Sequence, residues 1–580
     1  MIKQFPVNSY FLISHGIQSA CKLKSLKPLL RAIELALQLP LVENQELNTI
    51  FSCDSFCLPH LATQLRLYNS LASYQEKEIS FFNFPISHFI TSQPDIKLLE
   101  HADNPLFLLQ VNNQLLAQQN DYLKNIPTAA QIPSGEGFSA TLSRQFEELI
   151  SNLENKDWEQ IQLNDFPFNE LSYRDLCLTY KCSPEHADSD KKPFYKHYVQ
   201  SNKFNLWLLC LLLVEPRIGT SCFCMSFYTA STVFHFFCTQ SNRRIRYFGS
   251  PSIDLEEFGL CKERFICLTE SPLASVNLTK PDLQIDLSWI TLSPTFCATI
   301  YSIIQKRFNG IGSHTYSHGV NQSSPSLTAH KDWIVKQKKL GKQIIIIFTS
   351  SPDESAALQF SFKHLNVDLS HLSNSVFLDQ EDWIEHVVSY VSQHTSEYAL
   401  LIRMHPRLAA DKRGLGVNAS LPALLSHLNS IVGDNSSIRL VDPADSISSY
   451  WLGMQSDLIL NGWSTIGLEF AIMGKIVMNA FYKCPVGAGC IYPVHTKLLP
   501  LKSSLEYIQR VSYLLQAIRS GANINEEYQI SVQEASRAFF VSGTVGLTDL
   551  NSASQFYSQL VSPVDLSSQT ISIMMGAEVS

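Results

Sequence analysis

Charge is scarce in this 580-residue chain: Asp, Glu, Lys and Arg make up 17% of it, the formal net charge is −8, and there is no long Lys/Arg run. The missing basic footprint argues against nucleic acid as the main partner, but leaves room for a local cleft that holds one or two phosphates. Long hydrophobic runs are missing too. The most apolar stretch, Leu206 to Val214, stops at Glu215-Pro216-Arg217 and falls short of the ~20 residues needed to cross a bilayer. Met1 to Tyr10 carries one lysine and no apolar core, so no secretory signal is expected. The 14 cysteines are scattered and lack a paired zinc spacing. Cys53 with Cys57 and His60, and Cys222 with Cys224, come nearest, but neither has a matching second pair. Reduced thiols, no metal and a cytoplasmic location are the expectation. Internal repeats and low-complexity tracts are absent, which argues against a solenoid or a disordered chain.

What remains is an ordinary globular composition, 45% hydrophobic, in a chain too long for one core. Tyr10-Phe11-Leu12-Ile13-Ser14 reads as a short strand, followed by a His15-Gly16 turn and a helix through Leu37, the opening of a βαβ layer. The segment from Leu98 to Gln160 reads as mostly helical, with a Pro- and Gly-rich loop at Ile126 to Phe138. Cys182 to Lys192 is a polar excursion. Gly310 to Thr328, rich in Gly, Ser, His and Asn, reads as the linker between two halves.

Beyond it the pattern is regular. Strands are expected at Ile344–Phe348, Ala399–Met404, Ile438–Val441, Asp457–Leu460 and Ile476–Ala480. Helices fall between them: one capped by Asp379, then Leu421–Ile431, Ser446–Met454, and Thr465–Met473 closed by Gly474. Alternation at this spacing predicts an α/β fold with a doubly wound parallel sheet. Such sheets bind ligands at the carboxyl ends of their strands. Those ends carry Thr349-Ser350-Ser351-Pro352-Asp353-Glu354, His405-Pro406-Arg407, Asp442-Pro443-Ala444-Asp445 and Asn461-Gly462-Trp463-Ser464-Thr465. Ser464 and Thr465 open a helix whose first amides have no partners within it, a ready anion site; a plain helix cap is the other reading. Glu469, one turn in, is positioned for ribose hydroxyls or for a structural role. His405 can donate to a phosphate oxygen. Alternation places Arg403 on the same strand face as His405, and Arg407 can fork onto a phosphate or a carboxylate.

Four blocks in this order, Phe348 to Glu354, Asp379 to Trp383, Leu401 to Arg407 and Ser456 to Glu469, resemble the C-terminal half of bacterial capsule polysaccharide biosynthesis proteins. More broadly they are similar to GT-B glycosyltransferases that use CMP-activated acidic sugars, among them Kdo transferases and bacterial sialyltransferases. The resemblance implies two Rossmann-like lobes facing a central cleft: an acceptor lobe at 1–330, a nucleotide-sugar lobe at 331–545 and a tail at 546–580. It implies that His405 with Pro406, and Ser464 with Thr465, hold the donor phosphate, with Arg407, Glu469, Ser350 and Glu354 beside them. The donor is then a nucleotide-sugar co-substrate rather than a cofactor. The acceptor is a surface-polysaccharide glycan or a glycolipid, as in capsule or lipopolysaccharide assembly, with peripheral contact at the inner membrane face. For the general base, Glu136 before Gly137 is similar to an acidic residue of some sialyltransferases, and His15 is a second candidate. A CDP-alcohol phosphotransferase of teichoic-acid type, a sugar-nucleotide epimerase on the same fold and a non-catalytic glycan-assembly protein are the competing readings.

Overall fold

Ile344-Ile345-Ile346-Ile347-Phe348 has no polar face, and such a strand is stable only when both sides are covered. In the computed structural model it lies at the centre of a five-stranded sheet, buried along its length. The structure describes residues 9–39, 48–52, 79–83, 138–159, 161–163, 168–172, 191–214, 218, 221–224, 229–249, 267–269, 304–309, 325–351, 353, 376–409, 417–418, 420–462, 464, 466–480 and 503–521.

The first half contains α1 (Ser9–Leu23), α2 (Lys27–Leu37), β1 (Asn48–Ser52), β2 (Ile79–Asn83), α3 (Phe138–Asn152), α4 (Lys191–Val214), β3 (Ser221–Cys224), α5 (Thr229–Gln240), β4 (Arg244–Gly249) and β5 (Cys267–Thr269). Its strands form one sheet in the order β2-β1-β3-β4-β5. The pairs among β1 to β4 are parallel, and β5 closes the edge antiparallel to β4. The apolar run at Leu206 to Leu213 is the buried end of α4. Among the described residues no helix is long and apolar enough to cross a membrane.

The strand expected at Tyr10 to Ser14 is helical instead. Ile13, Gly16, Ile17 and Ala20 are buried at intervals of three and four, a helical stripe that the short apolar run concealed. Gly16 is a helix-crossing residue and not a βα turn: a Cβ there would lie 2.6 Å from Cβ of Ala32 on α2. His15 accordingly sits on the exposed side of α1, its ring stacked on Phe11 at 6.1 Å, and not at a strand end.

The second half runs α6 (Pro325–Lys339), β6 (Gln343–Phe348), α7 (Gln380–Gln393), β7 (Tyr398–Arg403), α8 (Leu421–Val432), β8 (Ile438–Val441), α9 (Ser449–Gln455), β9 (Leu458–Asn461), α10 (Ile466–Ile472), β10 (Val477–Asn479) and α11 (Ser504–Ser520). The order is β10-β9-β6-β7-β8, and every pair is parallel. The alternation read from the sequence is therefore present, with a strand or helix in each expected place. Asp379 caps α7 by accepting from the Asp382 amide at 2.9 Å, and Gly474 follows α10 with a φ of 76° that only glycine adopts freely. The helix α11 was not foreseen. It covers α7 through buried Tyr507, whose hydroxyl accepts from Nε1 of Trp383 at 3.1 Å.

The expected linker ends early, because α6 already begins at Pro325. Packing on the second sheet starts earlier still, at the helical turn 304–308. There Phe308 stacks on Tyr450 of α9 at 4.7 Å, Gln305 donates to the sulfur of Met473 at 3.7 Å, and Arg307 pairs with Glu469 of α10.

Candidate functional site

Because β6 to β10 all run parallel, their carboxyl ends share one edge of the sheet. The chain fills one side with β7 and β8, then crosses to the other side for β9 and β10. Connections leave β6 and β9 in opposite directions, and a crevice opens at such a switch point. Thr349, Ser350 and Ser351 leave β6 there, Gly462 and Ser464 follow β9, and His405 follows β7.

The floor of this edge is tied by hydrogen bonds. The Gly462 amide donates to the Phe348 carbonyl at 3.0 Å, and a Cβ at Gly462 would lie 2.9 Å from Oγ of Ser350. The Thr349 amide donates to the Arg403 carbonyl at 3.1 Å, while the Thr349 hydroxyl accepts from the His405 amide at 2.8 Å. Gln380, opening α7, holds both backbone groups of Ser350: its Oε1 accepts from the amide at 2.6 Å and its Nε2 donates to the carbonyl at 3.3 Å. A buried backbone group left unmade would cost free energy, so this one side chain fixes the β6 loop.

His405 is half-buried and caps the short 3-10 turn Pro406–Leu408, where Pro406 takes the first position and its missing N–H leaves nothing unpaired. Nδ1 of His405 accepts from the Arg407 amide at 3.1 Å. That bond uses the Nδ1 lone pair, so the proton of the neutral ring belongs on Nε2, which is a donor. Ser464 is also half-buried. Its carbonyl accepts from Nδ2 of Asn461 at 2.9 Å, and its Oγ accepts from the Ile466 amide at 3.5 Å, a weak cap on α10. With seven residues, α10 is short, and the cap takes one of its free amides. The hydroxyl of Ser464 counts for more here than the helix end does.

Two arginines and a glutamate find partners within the chain. The Arg407 guanidinium sits on a carboxylate of this chain: its Nε and Nη2 donate to Oδ2 of Asp353 at 3.2 and 3.1 Å. Oδ1 of Asp353 accepts from Ser351 and, at 3.4 Å, from Asn418. Arg403 is taken up within the chain. It turns under the β8 end, donating to the carbonyls of Asp442 and Asp445 and, at 3.3 Å, to Ser449, and burial lowers its pKa to about 10. Strand alternation stops at Arg403, the last residue of β7, so it does not carry over to His405. Glu469 is buried, with Oε1 on Arg307 and Oε2 accepting from the Tyr450 hydroxyl at 2.7 Å. Both oxygens are occupied by protein donors, so Glu469 is a structural clamp and not an open ribose site. Burial and the adjacent carboxylate push the Tyr450 hydroxyl well above its ordinary range, so it stays protonated and donates.

Ser350 lies at the carboxyl end of β6, beside the switch point. Thr465, Glu354 and Glu136 lie outside the described residues, as do Cys53, Cys57 and His60. Among the described residues, no group of three or more His, Cys, Asp or Glu could hold a metal ion. Sequence reasoning gave no role to Gln380 and missed Asn479, whose side chain accepts from Nδ2 of Asn461 at 2.8 Å. A signal did exist for the pair, since each is the one polar residue ending a strand of apolar ones.

Comparison with known proteins gives only distant likenesses. No family model and no curated protein matches the chain. Among solved structures, the UDP-GlcNAc 2-epimerase from Neisseria meningitidis bound to UDP-GlcNAc aligns over 85% of this chain and 97% of its own, at 10% identity and a TM-score of 0.26. The structure of S. aureus MnaA with UDP aligns over 89% and 97%, at 11% identity and a TM-score of 0.29. The wall teichoic acid polymerase TagF aligns over 99% and 100%, at 11% identity and a TM-score of 0.18. Likenesses this slight carry no argument about what the chain does.

Proposed function

We propose that this chain is a GT-B-type glycosyltransferase that moves a sugar from a nucleotide-activated donor, with a CMP-sugar favoured, to a surface-polysaccharide or glycolipid acceptor. One observation carries the reading: His405 follows β7, Gly462 and Ser464 follow β9, and these strands lie on either side of β6 with their carboxyl ends at the same edge of one parallel sheet. Two strand spacings separate their backbones by about 10 Å, a gap that a nucleotide phosphate with its sugars can span. Both supply neutral donors, Nε2–H and a hydroxyl, to an oxygen that gains charge. In this reading the donor-binding unit begins near residue 304, where packing on the second sheet begins. The first sheet forms the acceptor lobe across a cleft, and contact with a membrane is peripheral.

In the reaction, the acceptor hydroxyl oxygen forms a bond to the anomeric carbon as the bond from that carbon to the phosphate oxygen breaks. The hydroxyl proton passes to a base of the first lobe, for which Glu136 remains the proposal, and the bonding pair leaves on the phosphate. Donors fixed before the charge develops contribute on the order of 10²–10³ in rate each, because no solvent must reorganise around the leaving group. The motifs of the His405 and Ser464 loops favour CMP as that group.

Calorimetric titration with CMP, UDP and CDP-glycerol tests the donor class, and turnover of CMP-sugars scored by released nucleoside monophosphate tests the reaction. CMP binding that falls at least 10-fold in His405→Ala, with an unchanged circular dichroism spectrum, is the expected result. Equal affinity in wild type and variant removes the reading. Tight binding of CDP-glycerol alone would replace it with the phosphotransferase.

A further inference from the structure

We infer that Asp353 is a positioning residue, which through Arg407 holds the His405 ring in its Nε2–H form at the edge of the sheet. The inference takes His405 as the group that meets phosphate, as proposed above.

The chain of contacts is short and buried. Asp353 is 1% exposed and lies just past β6, whereas His405 and Arg407 lie past β7. The Arg407 side chain reaches across with two nitrogens on one carboxylate oxygen, at 3.1 and 3.2 Å. The other carboxylate oxygen is fixed by the Ser351 hydroxyl and, at 3.4 Å, by the Asn418 amide. Asn418 is tied back in turn, since its backbone amide donates to the Leu408 carbonyl at 2.9 Å. The turn that carries His405 is thus held from the β6 loop at one end and from Asn418 at the other. Within it, the Arg407 amide donates to Nδ1 of His405 at 3.1 Å. A ring that accepts at Nδ1 cannot carry a proton there. If the Arg407 backbone shifts, the bond that selects the tautomer is lost, and Nε2 ceases to be a dependable donor.

A buried carboxylate and guanidinium could serve stability alone, so the test needs a readout that stability does not move. Long-range proton–nitrogen correlation spectra of the full chain with 15N-labelled histidine report the tautomer of each ring, and His405→Gln identifies the His405 signal by its loss. The expected wild-type pattern is Nε2–H. Asp353→Asn takes a carboxylate charge away from the buried Arg407 and can fail to fold. The double variant Asp353→Leu with Arg407→Met removes both charges, a replacement that buried pairs often tolerate without loss of stability. In that variant the His405 signal should shift to a mixture of tautomers, and CMP affinity should fall about 10-fold, the worth of one charge-assisted hydrogen bond. A folded double variant that keeps the Nε2–H pattern overturns the inference. So does a wild type with the proton on Nδ1. If wild type shows the pattern but binds no nucleotide, the functional reading fails while the tautomer result still decides this one.

Discussion

Replacing Glu469 with glutamine removes one charge and keeps the size of the side chain, but turns one of its two acceptor atoms into a donor. The Arg307 and Glu469 side chains are 13% and 2% exposed, so neither ion is solvated once its partner is gone. A buried pair broken from one side costs about 3–5 kcal/mol. Glutamine keeps one acceptor oxygen for two donors, so either Arg307 or Tyr450 faces its NH2 group, and the loss of one hydrogen bond to a charged group, worth about 1.5–3 kcal/mol, is part of the measured change. For a unit of about 200 residues the loss corresponds to roughly 6–20 °C in melting temperature. Urea unfolding followed by tryptophan fluorescence is a suitable assay, since Trp383 and Trp451 lie within the second half. The triple replacement Arg307→Met, Glu469→Leu and Tyr450→Phe removes the whole polar group and should be less destabilising than the single glutamine change. A glutamine variant within about 0.5 kcal/mol of wild type would refute the reasoning, as would a triple variant less stable than the single.

Two further outcomes follow from the geometry. Gly462→Ala puts a methyl group 2.9 Å from the Ser350 hydroxyl, so nucleotide affinity by calorimetry should drop about 10-fold while the fold is kept. An unchanged Kd would show that the switch point between β6 and β9 is not where the donor sits. Burial lowers the pKa of His330 despite its contact with Asp445 at 2.9 Å, so the folded chain holds it neutral where the unfolded chain, with a pKa near ~6.5, takes up a proton. Stability should therefore rise with pH through that window and fall on acidification below ~6.5, by at most about 1.4 kcal/mol per pH unit from this group. His330→Gln, which can still donate to Asp445, should flatten the slope, and an unaltered slope would exclude His330 as its source.

The alternation of strands and helices after residue 325 was legible because each element carries its own period: Ile344 to Phe348 for a strand buried on both faces, and Trp383, Ile384, Val387, Val388 and Val391 for a helix. Punctuation was legible for the same reason, since Asp379 and Gly474 act on the residues beside them. Placement of Ser350, His405, Gly462 and Ser464 at one edge followed from parallel strands alone. The opening of the chain was misread where a five-residue apolar run fits a strand and a helix equally well. Only the burial of Ile13, Ile17 and Ala20 against α2 separates the two.

Composition and spacing by themselves determined the α/β class, the second sheet and the loops that line its carboxyl edge, because those features depend on residues near one another in the chain. The tertiary structure alone decided what each charge does. Arg407 holds Asp353 from 54 positions away, and Arg307 holds Glu469 from 162. An ionised side chain takes the partner that folding brings within hydrogen-bond reach, and nothing in its local sequence says whether that partner is a ligand phosphate or a carboxylate of its own chain.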